Sequence, residues 1–193
     1  MKLFKTLAFL AILGLGSLQG ANYIVDSTHS SVGFKVKHMM ISNVKGSFGS
    51  FSGNFSIDEK TKIFSSLKGV VDVSTITTKE KKRDSHLKSA DFFDVAKYPT
   101  MQLELLEHKV SKLRVKLTIK NVTKIVIMDV TEINGPLKDP WGYTRMAFEL
   151  HGKINRKDFN INFNQLLETG GLLVGDSVKI DLVLEGTRQK DTK

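Results

Sequence analysis

The side chains that could do acid–base or metal chemistry in this chain are five histidines, and their spacing matches no catalytic motif. They are His29, His38, His86, His108 and His151. None forms the close His-x-His or His-Glu-x-x-His spacing that holds a metal ion. The sequence also has no Gly-x-Ser-x-Gly elbow, no glycine-rich phosphate loop and no cysteine. It therefore predicts no metal, cofactor or catalytic residue, and any active site would have to be assembled from distant positions.

A second group of side chains with chemical potential is the basic cluster Lys79, Lys81, Lys82 and Arg83, directly before Asp84. Such a run is typical of a solvated helix face, and it could also recognise an anionic head group or surface. Arg83 suits a phosphate, because its planar fork can donate two charge-assisted hydrogen bonds. The alternative is that nearby aspartates hold Arg83 as a structural partner.

Strands must position these side chains, because apolar and polar residues alternate through most of the sequence after residue 22. Val32, Phe34 and Val36 share one face of a predicted strand, while Lys35 and Lys37 share the other. The same period of two recurs in five further segments and indicates strands with one apolar and one wet face. The short polar breaks between them permit antiparallel hairpins but not parallel crossovers.

The predicted fold is a single all-β domain in which about eight long antiparallel strands close into a barrel, with one short helical or loop excursion near 78–94. Closure removes the exposed strand edges and gathers the apolar faces inside. A lipid-facing barrel would need aromatic girdles, and 12 Phe against 3 Tyr and 1 Trp is the wrong mixture, because Phe lacks a polar tip. Periodicity does not separate a solid core from a ligand cavity, although the glycines at 46, 49, 53 and 69 would leave room or mark bends.

Four ordered stretches resemble the signature of the YceI-like family and cover nearly everything after about residue 22. The most distinctive is RDSHLKSADFFDVAKYP over 83–99. Asn121 and Asn160 stand where the family usually has glycine, and asparagine tolerates the left-handed backbone region better than other residues with a side chain. The other three are DSTHSSVGFKVKH over 26–38, LTIKNVTK over 117–124, and a two-part C-terminal motif that consists of RKDF over 156–159 and VGD over 174–176.

This resemblance implies a lipocalin-like barrel that binds, stores or transports a long-chain amphipathic lipid without catalysis. The ligand would be a polyisoprenoid, an isoprenoid quinone or a fatty-acid derivative. Two alternatives are an enzyme acting on such a lipid and a stress-related structural barrel without a physiological ligand. The inward phases of the alternating strands predict a dry tunnel lined by Val32, Phe34, Val36, Leu67, Val71, Leu103, Val115, Leu117, Phe148, Leu150, Ile180 and Leu182.

Polar groups near the barrel mouth are expected to select the lipid head. An apolar wall can hold any hydrocarbon chain of suitable length, but it does not fix the orientation of the lipid. His38 continues the inward face of its strand, and Arg83 and His86 open the most distinctive motif. These three are the leading candidates for contact with the head. Phe92 and Phe93 are expected to pack against the mouth as a plug.

Residues 1–20 have the layout of a secretory signal: Lys2 and Lys5, an apolar run from Leu7 to Leu13, then small residues. Residues 21–193 would form the lipid-binding domain, which is expected to be periplasmic or secreted and, without cysteine, to carry no lipid anchor. The formal charge of +9 falls to +7 without Lys2 and Lys5. This excess predicts transient contact with an anionic membrane surface rather than with nucleic acid. The sequence leaves open whether the chain forms a homodimer.

Overall fold

The computed structural model describes residues 20–166 and 171–189. The predicted signal, residues 1–20, lies outside these ranges except for Gly20, so its removal stays a prediction. Among the described residues, no helix is long and apolar enough to cross a bilayer.

The described residues form eleven strands and one α-helix. The strands all pair in antiparallel fashion, and the helix lies between the sixth and seventh of them. Short 3-10 turns occur at Val73–Thr75 and Arg156–Phe159. The elements are β1 (Ala21–Val25), β2 (Ser31–His38), β3 (Ser42–Phe48), β4 (Phe51–Ile57), β5 (Phe64–Asp72), β6 (Ile76–Thr77), α1 (Lys81–Lys88), β7 (Thr100–Lys109), β8 (Lys112–Ile119), β9 (Val122–Lys138), β10 (Thr144–Asn155) and β11 (Val174–Arg188).

The sheet closes into an eight-stranded barrel, in the order β1-β4-β5-β7-β8-β9-β10-β11, with β11 pairing back onto β1. The other three strands extend members of this ring. Since β1 and β2 both pair with β11, they form one long strand interrupted at 26–30. In the same way β3 with β4, and β5 with β6, are long strands interrupted at 49–50 and 73–75. The predicted antiparallel barrel of about eight strands is confirmed.

The excursion predicted near 78–94 contains α1, which begins after an acidic cap. The carboxylate of Glu80 accepts hydrogen bonds from the backbone N–H groups of Lys82 (3.0 Å) and Arg83 (2.6 Å). Such a cap satisfies N–H groups that have no partner in the first turn of a helix. The chain then folds back on the helix, because Phe93 N donates to Leu87 O at 3.1 Å. This places Phe92 and Phe93 at one end of the barrel.

The opposite end of the barrel is filled by aromatic rings. Tyr23 stacks on Phe55 with ring centroids 4.9 Å apart, and Phe148 lies 5.0 Å from Phe55 and 4.6 Å from Phe64. Gly186 gives this cluster room, since a Cβ there would lie 2.5 Å from the Phe55 ring. We call this part of the barrel the closed half and the part under α1 the open half.

Asn121 and Asn160, the two positions where the resemblance predicts glycine, both adopt left-handed backbone. Asn121 has φ of 59° in the turn between β8 and β9, and Asn160 has φ of 59° after the 3-10 turn that follows β10. Asn160 N donates to Lys157 O at 3.1 Å. Both turns are therefore formed with asparagine in the left-handed region.

Candidate functional site

An apolar cavity of about 190 Å³ occupies the open half of the barrel. Its wall is formed by inward side chains of the strands, and α1 with the segment after it covers its end through Leu87, Phe92 and Phe93. Phe93 packs edge-on against Phe48, with ring centroids 6.2 Å apart. Both phenylalanines therefore lie on the cavity wall, and their action as a plug stays a prediction.

Ten of the twelve side chains expected to line a tunnel lie on the cavity wall. Val115 and Phe148 do not, although both point inward and are buried. Each belongs to the closed half, where the aromatic rings of Phe55, Phe64 and Phe148 pack against one another. The space is thus a cavity in one half of the barrel rather than a tunnel along its whole length. Wall residues outside the predicted list include Met101, Ile119, Ile154, Phe159, Ile161 and Val174.

Two inward-facing glycines help to create the space. Gly53 on β4 lies directly opposite Gly69 on β5, and Gly69 faces Leu103 on β7. A Cβ at Gly53 would lie 2.7 Å from the Lys68 carbonyl oxygen, so no side chain fits there. A Cβ at Gly69 would meet only the Ser52 carbonyl oxygen, at an ordinary 3.8 Å. The absence of a side chain at Gly69 therefore leaves volume that a side chain could fill.

The three polar candidates for the mouth lie beside the cavity rather than on its wall. His38 is the last residue of β2, opposite Val174 of β11. His86 contacts Asp91, with Nε2 2.7 Å from Oδ2, and its ring packs edge-on against Phe92 and Phe163 at 5.0 and 4.7 Å. Recognition of a lipid head by these side chains stays a prediction.

Arg83 is held by a threonine. Its Nε donates to Thr78 Oγ1 (2.7 Å) and its Nη2 to Thr78 O (3.0 Å). Thr78 also donates to Asp84, from its backbone N at 2.7 Å. These bonds keep the pKa of the Asp84 carboxyl below its usual range against the opposing effect of desolvation. Arg83 and Asp84 together fix the chain where β6 passes into α1.

Arg156 is a site residue that inspection of the motifs did not assign. Its side chain is only 4% exposed, and all of its donor nitrogens are engaged. Nε and Nη2 donate to the carbonyls of Gly175 and Val174, and Nη1 donates to those of Ile161 (2.7 Å) and Phe163 (2.8 Å). Nη2 also reaches Asp176 Oδ1 at 3.1 Å. Burial lowers the pKa of this guanidinium, and the Asp176 carboxylate opposes that effect.

Arg156 therefore joins two segments that line the cavity, one through Ile161 and the other through Val174. The guanidinium lies on the cavity wall itself, but its N–H groups already have acceptors. It stabilises the site as a structural clamp and has no unused donor for a ligand. Arg156 is the first residue of the RKDF motif. The motif does not reveal its role, because the groups that accept its hydrogen bonds are backbone carbonyls, which belong to every residue type.

A charged cluster at the other end of the barrel contains groups that can ligate a metal ion. Ligand atoms of Asp26, His29 and Glu185 lie within 4.8 Å of one another. However, Arg145 lies among them and donates to Asp26 (2.9 Å), Glu185 (2.7 Å) and Asp139 (2.7 Å). The guanidinium already supplies the positive charge that these carboxylates need, so the donor set does not fit a metal ion.

The Arg145 cluster predicts a pH-dependent contribution to stability. Hydrogen bonds from Thr28, His29 and Arg145 hold the pKa of Asp26 far below its ordinary value. A carboxyl whose pKa is depressed by folding contributes stability above its unfolded pKa of about 4 and loses it as the pH falls. We therefore expect Arg145→Met to lower the melting temperature most at pH 7, with the difference from wild type shrinking between about pH 4 and pH 3. A difference that is constant over this range, measured by thermal denaturation, would contradict the assignment.

A closed antiparallel barrel with an apolar cavity in one half defines a lipocalin-like class of barrel. The chain matches the YceI-like domain over residues 23–186 and belongs to the YceI-like family. It is 39% identical over 167 residues to a UPF0312 protein of Staphylococcus aureus, covering 85% of this chain and 96% of that protein.

Solved structures show the same barrel. The Campylobacter jejuni YCEI protein matches with a TM-score of 0.68 at 31% identity, over 86% of this chain and 96% of that one. Burkholderia cenocepacia BcnA matches with a TM-score of 0.68 at 24% identity, over 83% and 98%. A polyisoprenoid binding domain from Saccharophagus degradans matches with a TM-score of 0.64 at 15% identity, over 88% and 99%. The last two likenesses concern the fold alone.

Proposed function

We propose that this protein binds a long-chain amphipathic lipid, polyisoprenoid-like in character, and carries or stores it without catalysis. The observation that supports this most directly is the apolar cavity in the open half of the barrel. Each CH₂ group buried in such a site contributes about 0.8 kcal/mol, so a hydrocarbon chain gains affinity along its length. The polyisoprenoid binding domain from Saccharophagus degradans has the same fold, which makes this ligand class the first one to test.

The cavity size sets how such a ligand is held. A cavity of about 150 Å³ accommodates benzene, and this one measures about 190 Å³. It therefore takes only a short stretch of a long chain in the conformation described. The rest of the chain leaves through the end covered by Phe92 and Phe93, and these rings must move aside for it.

The chemistry of the wall supports binding rather than catalysis. Among the described residues that line the cavity, Lys68 and Arg156 are the ionisable ones. Lys68 lies in an outward phase of β5 and pairs with Glu104 at 3.4 Å, and the N–H donors of Arg156 are already engaged. General acid–base catalysis needs a titrating group within hydrogen-bond reach of the substrate. Neither residue offers one.

The compartment that we propose is the periplasm or the extracellular space. The basic and apolar order of residues 1–20 supports export with removal of this segment. In that compartment the protein would exchange its lipid with a membrane. This exchange does not require the protein itself to be anchored.

Extraction of the protein isolated from its own cells tests the proposal. We expect organic extracts to contain a long-chain lipid in a fixed ratio to protein, identified by mass spectrometry. The intact mass of the same sample should lack residues 1–20. A protein that is consistently empty would favour the structural barrel, and a lipid released in chemically altered form would favour the enzyme. Either result would contradict a non-catalytic carrier.

A further inference from the structure

A row of four lysines crosses the outer face of the barrel. Lys153 lies directly opposite Lys179, Lys179 opposite Lys35, and Lys35 opposite Lys45, on the adjacent strands β10, β11, β2 and β3. Neighbouring strands are about 5 Å apart, so the row spans roughly 15 Å. Like charges directly opposite one another destabilise a sheet. We call these four residues the lysine row.

At several other positions the barrel surface places opposite charges on adjacent strands, and Lys109 and Lys112, which do face each other, each have an acidic partner. Lys68 faces Glu104, which in turn faces Lys116, and Lys112 faces Asp129. In contrast, no member of the lysine row makes an ion pair within residues 20–166 and 171–189. The row is therefore a concentrated positive surface without an internal counter-charge.

The acids nearest to the row already have other partners. Asp176 lies 3.1 Å from Arg156 and 2.8 Å from Lys157. Asp181 lies 3.1 Å from His151, and this contact raises the pKa of the imidazole. Neither acid neutralises the lysine row, so an anion that balances it must come from outside the described residues.

The hairpin that carries Lys35 and Lys45 ends in an exposed apolar tip. Met39, Met40 and Ile41 are 40%, 60% and 81% exposed. Met39 and Met40 have φ of 50° and 62°, and Ile41 N donates to His38 O at 3.2 Å across the turn. We call residues 39–41 the methionine tip.

Methionine is a poor choice for these positions on grounds of folding. Turns with positive φ at both central residues favour Asn-Gly, because other side chains crowd the backbone there. Exposure of three apolar side chains also carries no benefit in water. Met39 and Met40 thus stand where both conformation and solubility favour other residues, which points to a role outside the fold.

The tip and the lysine row lie next to the cavity. Lys35 alternates along β2 with Phe34 and Val36, whose side chains line the cavity from within. His38, just before the tip, faces the wall residue Val174. A partner bound to the outer face of this hairpin would be separated from the cavity only by the thickness of the sheet.

We propose that the β2–β3 hairpin docks the protein onto an anionic lipid bilayer, with the methionine tip inserted among the head groups and the lysine row against the lipid phosphates. Apolar side chains and lysines side by side are the combination that binds such interfaces. The biological reason for docking rests on the proposed lipid-carrying function, because a lipid can be exchanged only when the cavity lies close to a membrane. Docking itself does not depend on what the cavity holds.

Vesicle co-sedimentation of the purified protein tests this surface. We expect binding to phosphatidylcholine vesicles that contain phosphatidylglycerol and little binding without it. Binding should disappear between about 0.1 M and 1 M salt, because the Debye length falls from about 10 Å to about 3 Å. Lys35→Gln/Lys45→Gln should weaken binding roughly fivefold per lysine. The matched control, Lys60→Gln/Lys138→Gln, removes the same charge at the other end of the barrel and should weaken it much less.

The tip is tested by Met39→Asn/Met40→Gly, which supplies the residues that this turn favours. Vesicle binding should fall at least tenfold while the melting temperature stays the same or rises. Undiminished vesicle binding by this variant would overturn the proposal, as would equal loss in the lysine control. If the tip variant and the wild type bind dextran sulfate and vesicles equally well, the row serves a soluble polyanion instead. Lipid content, measured by mass spectrometry on the same samples, separates failure of docking from failure of the carrier function.

Discussion

Replacing Arg156 with methionine should lower the free energy of unfolding by about 3–5 kcal/mol. Removing one partner of a buried, hydrogen-bonded charge leaves its acceptors without donors, and losses of this size are typical. Here the acceptors are four backbone carbonyls and the Asp176 carboxylate. Urea denaturation monitored by circular dichroism measures the change through the midpoint and slope of the transition.

Lys157→Met is the matched control, because Lys157 binds the same carboxylate at 2.8 Å but from an exposed position. Exposed ion pairs contribute about 0–1 kcal/mol, so this variant should remain close to wild type. Arg156→Lys should restore little, since an ammonium group cannot reproduce the planar fork. Similar losses in Arg156→Met and Lys157→Met would show that the clamp is no more than a surface contact.

The Arg156 clamp also has a consequence for binding. It holds the carbonyls of Ile161 and Val174, whose side chains belong to the cavity wall. At a urea concentration where Arg156→Met is still folded, its cavity should bind an apolar probe less tightly than wild type. A stabilising residue would then contribute to affinity without touching the ligand.

The alternation of side chains was sufficient to predict strands, barrel closure and the inward phase of most wall residues. It did not predict the interruptions at 26–30, 49–50 and 73–75, because the period of two resumes after each break. It also could not separate the filled half of the barrel from the hollow half. Val115 and Leu117 share a strand, a face and an apolar character, yet only Leu117 reaches the cavity.

The difference between the two halves arises from pairing register. Phe55, Phe64 and Phe148 come from three separate strands and meet only because of how those strands align. Gly53 and Gly69 lie opposite each other for the same reason, since their pairing depends on the register between β4 and β5. Register depends on long-range contacts that a single sequence does not display.

The second large effect is expected at Gly69, where the cavity can be filled from within. Gly69→Phe places a phenyl ring on the inward face of β5, and its Cβ meets no obstacle closer than 3.8 Å. Benzene occupies a cavity of about 150 Å³, so the ring should take up most of the 190 Å³ present here. Phenylalanine is also well suited to a strand. We expect lipid co-purified per protein, and Nile red binding, to fall at least tenfold, while the melting temperature stays the same or rises.

Ser66→Phe is the matched control, since Ser66 lies on the outward face of β5, three residues before Gly69, and does not line the cavity. It should leave lipid content and dye binding unchanged. Gly53→Phe is a second comparison that should fail to fold well, because its Cβ would lie 2.7 Å from the Lys68 carbonyl oxygen. A stable Gly69→Phe protein that still carries its full complement of lipid would place the ligand outside the cavity. Loss of lipid in Gly69→Phe but not in Ser66→Phe would instead locate the hydrocarbon chain beside Gly69, between Leu103 and the opposing β4 strand.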